Sequence, residues 1–317
     1  MVRALRQAFP NAQIDFVVKK QFVELMLNNP HIDHLLVFEK ELGMGPVKNK
    51  IRDAGYDHIV DIHKNIRSTI LKFSSQASSS TYSKYIFRRT LLVKFGINLY
   101  KNIQPVYLRY FEAVKQFGVI YDHIGTEVNF THDDMEKVNI ALSNACCRID
   151  EKMVVICPGA SFSNKQWLPE RFAQLADRLI EKGFSVSFHG GQKDVDLCES
   201  IINFMINRCF SFAGQFSLLQ SAAFLKMASL AITNDSGMMH MAQSQKTPVV
   251  AIFGPTTKEL GYFPLPEKSV VVEKMVSCRP CTHNGLNYCP KKHFRCMTEI
   301  QVDDIEKEAM KFLSIPN

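Results

Sequence analysis

Three short stretches combine residue types that bind phosphate, each just after an apolar run. The first is Thr233-Asn234-Asp235-Ser236-Gly237-Met238-Met239-His240, where a buried strand gives way to a helical pattern. Asn234, Asp235 or Ser236 can cap that helix, and Gly237 lets a ligand approach the main chain. The exposed N–H groups and the helix dipole then favour an anion. An aspartate alone at this point repels phosphate, and a capped helix without a ligand fits the same residues. The second stretch is Pro158-Gly159-Ala160-Ser161-Phe162-Ser163-Asn164-Lys165-Gln166-Trp167, in which small and hydroxyl residues precede one lysine and the sole tryptophan. Lys165 can neutralise a diphosphate, or can be a surface lysine beside a packed ring. GxxxxGK[ST] is absent, so a Walker loop is not indicated. In the third, His189-Gly190-Gly191-Gln192-Lys193-Asp194, the glycines permit close approach and Gln192 or Asp194 can bond ribose hydroxyls. Strand ends pointing the same way form one site at the carboxyl edge of a parallel sheet.

A fourth cluster has the spacing Cys278-x2-Cys281-x7-Cys289-x6-Cys296, with His283 and His293 nearby. A structural zinc is one reading. The six residues between Cys289 and Cys296 exceed the usual two to four of a ligand pair, so a compact loop of oxidisable thiols is the preferred one.

The elements that position these stretches alternate regularly from Met153: MVVIC, a helix over Pro169–Lys182, FSVSFHG, a helix over Val195–Ile206, and CFSFAG. A helix over Ser217–Ala228, LAIT, a short helix over Met238–Ser244 and TPVVAIFG follow. Strands apolar throughout and separated by single helices predict a parallel sheet covered on both faces, a Rossmann-like unit. The first half repeats the theme with strands AQIDFVV, HLLVF and YDHIVDI and helices near Phe22–Asn28 and Val47–Ala54. Between Ser74 and Gln104 the alternation is lost, which suggests a mobile or ligand-facing insertion, or a plain surface loop. A helical run over Asp133–Ala145 places the domain boundary near Asp150, and DDIEKEAMKFL predicts a closing helix. Val2–Phe9 reads as a helix with no strand before it, as though an opening strand and its loop were missing.

With 317 residues, 46% hydrophobic and 22% charged, two globular domains are expected and a disordered or collagenous chain is excluded. No apolar run approaches the roughly 20 residues that span a bilayer, and the first residues are too polar for a signal peptide, so a cytoplasmic location is expected. The formal charge of +7 favours anionic partners. Cys146, Cys147, Cys157, Cys198 and Cys209 fall in or beside apolar segments, as reduced thiols do.

The order and spacing of LRQAFPNAQIDFVV, NNPHIDHLLVF, YDHIVDIHKNIRS, PGASFSNKQW, FHGGQKD, TNDSGMMHMA and VVAIFGPTTKELGY resemble the ADP-heptose:lipopolysaccharide heptosyltransferases of glycosyltransferase family 9 across nearly the whole chain. The cysteine tail resembles a motif of some members. The resemblance implies a GT-B fold: two Rossmann-like domains facing across a cleft, residues 1–150 for the acceptor and 151–317 for the nucleotide sugar, with the Cys-rich loop 278–296 and closing helix in the latter. It implies that Lys165 contacts the donor diphosphate with help from Ser161. Asp235 then begins the helix whose amides, from Ser236 through Gly237 and Met238 to Met239, hold phosphate next to His240, with Gln192 or Asp194 near adenosine. The reaction implied is inverting transfer of heptose from ADP-heptose to the lipopolysaccharide inner core, with no metal or other cofactor.

The family's general base is an aspartate in a Gly-Asp turn after the first strand, the part with no counterpart here. A late-assigned start, lost activity, or a substitute such as Asp61 or His63 would each account for this. The anionic acceptor suggests Lys64, Arg67 and Arg109 as contacts, whereas Arg88 and Arg89 read as a solvated or membrane-facing pair. The expected partners are ADP-heptose, the lipopolysaccharide core and the inner face of the inner membrane, reached peripherally. The alternative is a non-catalytic nucleotide-sugar-binding remnant of the same fold. A nucleic-acid binder is disfavoured, because basic and aromatic residues do not interleave in the cysteine-rich stretch.

Overall fold

Apolar runs and the helices between them define the layers of this protein, a computed structural model of which describes residues 1–145 and 152–314. Backbone contacts group the chain into two units, Met1–Ile86 with Gln104–Asn129, and Phe87–Ile103 with Phe130–Asn317. The division in contacts thus falls ahead of the helix that precedes the expected boundary. Asp150 itself, like Cys146 and Cys147, lies outside the described residues.

The first unit opens with α1 (Val2–Ala8), then β1 (Asp15–Lys19), α2 (Glu24–Leu27), β2 (His34–Phe38), α3 (Gly45–Asp53), β3 (His58–Asp61), α4 (Ile66–Lys72) and β4 (Ser78–Thr81). Helix α5 (Ile86–Phe95) follows, whose residues from Phe87 on belong to the second unit, and then α6 (Val106–Arg109). β1 pairs with β2 and β3 with β4, both parallel, as two separate two-stranded sheets. Their cores are small: Leu36, Val47 and Ile51 under one, and Ala4, Val114 and Val119 against α1.

The stretch from Ser74 to Gln104 is not the irregular insertion expected, since it contains β4 and the ten-residue α5. β4 is Ser-Ser-Ser-Thr, with no apolar signature. The His58 ring meets the Ser78 and Ser80 hydroxyls at 2.6 and 2.8 Å, and Thr81 Oγ1 donates to the Asp61 carbonyl. Polar cross-strand pairing replaces the hydrophobic alternation that normally marks a strand.

The second unit adds α7 (His132–Asn144), β5 (Met153–Cys157), α8 (Pro169–Glu181), β6 (Ser185–Phe188), α9 (Val195–Ile202), β7 (Phe210–Ser211), α10 (Leu218–Met227), β8 (Leu230–Asn234), α11 (Gly237–Ser244), β9 (Val249–Phe253), β10 (Ser269–Glu273), α12 (Arg295–Thr298) and α13 (Val302–Leu313). Its six strands are all parallel in the order β10-β9-β8-β5-β6-β7. That is the doubly wound Rossmann order, and every residue of β5, β8 and β9 is buried because helices cover both faces. Phe172, Leu175, Ala176 and Leu179 form the i, i+3, i+4, i+7 stripe by which α8 packs on the sheet. Cys157 and Cys198 lie in this core, where burial pushes both thiols up, Cys198 to about 12, so they stay protonated.

His189, at the end of β6, is fully buried among Phe216 and Phe224, with Nδ1 3.3 Å from the Phe212 carbonyl. Burial pushes its pKa down to about 4, with the Phe212 bond opposing the shift. An unfolded chain takes up this proton near pH 6.5, whereas the fold resists it until about pH 4. Stability is therefore complete above about pH 6.5 and declines as pH falls through that window, by roughly 3 kcal/mol at its lower end. Urea unfolding at neutral and acidic pH should show that loss in the parent and a smaller one in His189→Asn. Equal pH dependence of the two would refute this assignment.

Candidate functional site

β5 and β8 are neighbours although β6 and β7 lie between them in sequence, so the winding reverses here, and open α/β sheets bind ligands beyond the carboxyl ends of the strands at such a point. Cys157 is in register with Thr233, so the two strands end within one residue of each other. β5 leads into Pro158–Trp167, and β8 leads through Asp235 and Ser236 into α11.

The side chains that the sequence singled out meet there. Lys165 Nζ lies 2.7 Å from Asp235 Oδ2, with side-chain exposures of 12% and 7%. The Thr256 hydroxyl, after β9, donates to the same carboxylate oxygen at 2.6 Å. Asp235 is thereby neutralised, which removes the objection that an aspartate repels phosphate, and it fixes where the ammonium sits. Ser236 occupies the N-cap position of α11, but its hydroxyl makes no capping bond. The buried hydroxyls of Ser236 and Thr257 have no hydrogen-bond partner among the described residues. The first amides of α11, those of Ser236, Gly237, Met238 and Met239, have no carbonyl within their own helix to receive them. A Cβ on Gly237 would meet nothing within 4 Å, so the approach to these amides is open. His240 is exposed beside this cluster, and its partial desolvation pushes its pKa down, Lys165 adding to the effect while Asp235 and Gln243 oppose it.

Asn234, read as a possible cap, is instead a tie between the two strand ends. Fully buried, it donates from Nδ2 to the Pro158 carbonyl at 2.6 Å and accepts the Trp167 amide at 3.2 Å. Trp167 is itself buried and donates from Nε1 to the Ile300 carbonyl. Asn164 braces the other flank, pairing with the backbone of Leu286 through both its amide and its Oδ1. Asn164 and Thr256 were missed in the sequence. Thr256 follows Gly-Pro after a buried strand, the same signature as the other strand ends, whereas nothing local marks Asn164.

Of the residues expected near adenosine, Asp194 is engaged in its own turn. Its Oδ2 accepts the Gly191 amide at 2.9 Å, and burial pushes its pKa up. The same carboxyl lies against Gly159 and Gly190, so close that a Cβ on Gly159 would stand 2.2 Å from Oδ1. Gly159→Ala should cost about 1–3 kcal/mol through this overlap, and much less in an Asp194→Ala background. Denaturant midpoints of the four proteins of this cycle measure the coupling, and strict additivity would contradict the packing. Gln192 is exposed and lies beside Gly214, and Ser161 is exposed on the β5 loop.

In the first unit, Asp61 is held in its own turn at the end of β3. It is 4% exposed and accepts from the His63 and Lys64 amides and the Ser68 hydroxyl, with Lys72 at 3.6 Å. His63 is exposed, and partial burial with Lys84 and Lys19 nearby lowers its pKa, so it is neutral at pH 7. Lys64 and Arg67 are exposed after β3, Arg67 lying 5.6 Å from the Phe38 ring centre. Arg109, expected to meet the acceptor, is buried: its Nε donates to the Gln104 carbonyl and its guanidinium stacks over Tyr85.

Cys278, Cys281, Cys289 and Cys296 are free thiols that lie close enough to influence one another's ionisation. Cys278 Sγ is 3.7 Å from His293 Nε2, and Cys289 Sγ accepts the Phe294 amide. Among the described residues no three His, Cys, Asp or Glu side chains are arranged to hold a metal. No described helix is long and apolar enough to cross a membrane.

A family model described as glycosyltransferase family 9 (heptosyltransferase) matches residues 44–291. The lipooligosaccharide heptosyltransferase 2 of Haemophilus ducreyi is 25% identical over 301 residues, 87% of this chain and 84% of that protein. The crystal structure of a family 9 glycosyl transferase from Veillonella parvula superposes with a TM-score of 0.82 at 26% identity, over 99% of this chain and 92% of that one. The ADP-heptose lipopolysaccharide heptosyltransferase II of Escherichia coli shares the fold, with a TM-score of 0.74 at 19% identity and coverage of 99% and 93%. Parallel α/β sheets with this match give the chain the GT-B fold, and it belongs to glycosyltransferase family 9.

Proposed function

We propose that this enzyme transfers heptose, with inversion, from ADP-heptose to the inner core of lipopolysaccharide. The observation that carries the reading is the Lys165–Asp235–Thr256 cluster at the mouth of α11, a fixed cation beside open helix amides at the winding reversal. In the reaction an acceptor hydroxyl attacks the anomeric carbon on the face opposite ADP. Its C–O bond forms as the bond to the β-phosphate breaks, and the hydroxyl proton passes to a base. The negative charge that grows on the leaving diphosphate is met by Lys165 and the amides from Ser236 to Met239, in a site that fixes them before the reaction begins. The idle hydroxyls of Ser236 and Thr257 are two further donors for phosphate oxygens. Gln192 is the remaining candidate beside adenosine, and Ser161 assists from the β5 loop.

Lys64 and Arg67 suit the acceptor's carboxylates and phosphates. Of the two substitute bases considered, His63 keeps an exposed, neutral imidazole and Asp61 does not. A lipid-borne acceptor puts the enzyme in peripheral contact with the inner face of the inner membrane.

Incubation with ADP-heptose and a Kdo-bearing lipid A acceptor tests the reading, with heptosylated product and stoichiometric ADP expected. ADP binding without transfer would instead favour a non-catalytic nucleotide-sugar-binding role, and absence of both would refute the donor site.

A further inference from the structure

From Ile62 to Phe111 the chain carries nine lysines and arginines and no aspartate or glutamate, more positive charge in fifty residues than the +7 of the whole chain. The same stretch displays apolar side chains. On α5, Phe87 and Phe95 are 70% and 67% exposed on either side of exposed Lys94. Past the helix, which ends at Gly96 in the left-handed conformation, Ile97 and Leu99 are also exposed, and exposed Lys101 follows. This is not a frayed segment, since Leu92 is buried beneath the helix and Asn98 donates to Glu259 of the same unit.

We infer that residues 86–101 form the surface by which this enzyme seats on a bilayer containing acidic lipid. The inference deepens the proposed reading, which puts the acceptor in a lipid, by naming the face that meets the membrane. Aromatic and aliphatic side chains interleaved with lysines match the boundary between acyl chains and anionic headgroups. A nucleic acid would use the charge but gain little from Ile97 and Leu99. A second copy of the chain would set like charges against each other.

The test is co-sedimentation of the full chain with phosphatidylcholine vesicles, with and without phosphatidylglycerol. Binding is expected only with the acidic lipid and should weaken as salt rises. Lys94→Gln and Lys101→Gln should each weaken it about fivefold, the worth of one cation near such a surface. Phe87→Ser with Phe95→Ser should weaken it more than tenfold while leaving the circular dichroism spectrum, and transfer to a deacylated water-soluble acceptor, unchanged. Vesicle binding without any transfer would support this surface while counting against the transferase reading alone. Equal binding to neutral vesicles, no binding at all, undiminished binding by the Phe87→Ser/Phe95→Ser protein, or a dimer that this variant dissolves would each overturn the inference.

Discussion

Lys165→Met should lower transfer by about 10²–10³-fold and weaken ADP binding, the usual cost of losing one preorganised group that faces developing charge. The substitution also leaves the Asp235 carboxylate nearly buried, with only the Thr256 hydroxyl on the oxygen that faced the ammonium. A stability loss of about 2–3 kcal/mol is therefore expected, since an uncompensated buried charge is expensive. Adding Asp235→Asn separates the two effects: it should restore most of the stability and none of the activity. Lys165→Arg should also fail, because a planar guanidinium cannot occupy the point position set by Asp235 and Thr256. Steady-state kinetics and urea unfolding on the three proteins check both halves. Recovery of activity in the double variant would mean that Lys165 acts only as a structural partner.

Asn234→Leu should be the most damaging change that removes no charge. Asn234 joins the end of β8 to the β5 loop, and leucine would strand the Trp167 amide and the Pro158 carbonyl in a site closed to water. Each orphaned group costs about 1–3 kcal/mol, so a total of about 2–4 kcal/mol is expected after partial relaxation. Because the β5 loop carries Lys165, donor affinity should fall together with stability. Asn234→Asp should be intermediate, keeping an acceptor for the Trp167 amide but turning a carboxylate toward the Pro158 carbonyl. Thermal melts with and without ADP distinguish these cases, and a leucine variant as stable as the parent would refute the role given to this residue.

The second unit was legible because its strands are buried on both faces. A run such as MVVIC or VVAIF has no competing explanation between helical stripes, and the reading recovered β5, β6, β8 and β9 and the helices between them. Strand-end logic then placed Lys165 and Asp235 at one site before any distance was known. It placed Asp194 there too, although the carboxyl turned back onto Gly191, because type and position do not tell a ligand contact from a turn lock. The first unit was harder to read, since its sheet is two short pairs whose partners are partly hydroxyls. β4 answers to His58 rather than to a core, and Arg109 is buried by Tyr85 and a carbonyl that no spacing rule connects to it. Asn164 and Thr256 act through long-range bonds, which leave no periodic trace in a sequence.

A diphosphate held between the ammonium beside Asp235 and the start of α11 is the central claim about this site, and a crystal structure of the ADP complex tests it most directly. Phosphate oxygens are expected within hydrogen-bond distance of Lys165 Nζ and of the amides following Ser236. A nucleotide bound elsewhere, with the Lys165–Asp235 pair untouched and the α11 amides facing solvent, would contradict the claim.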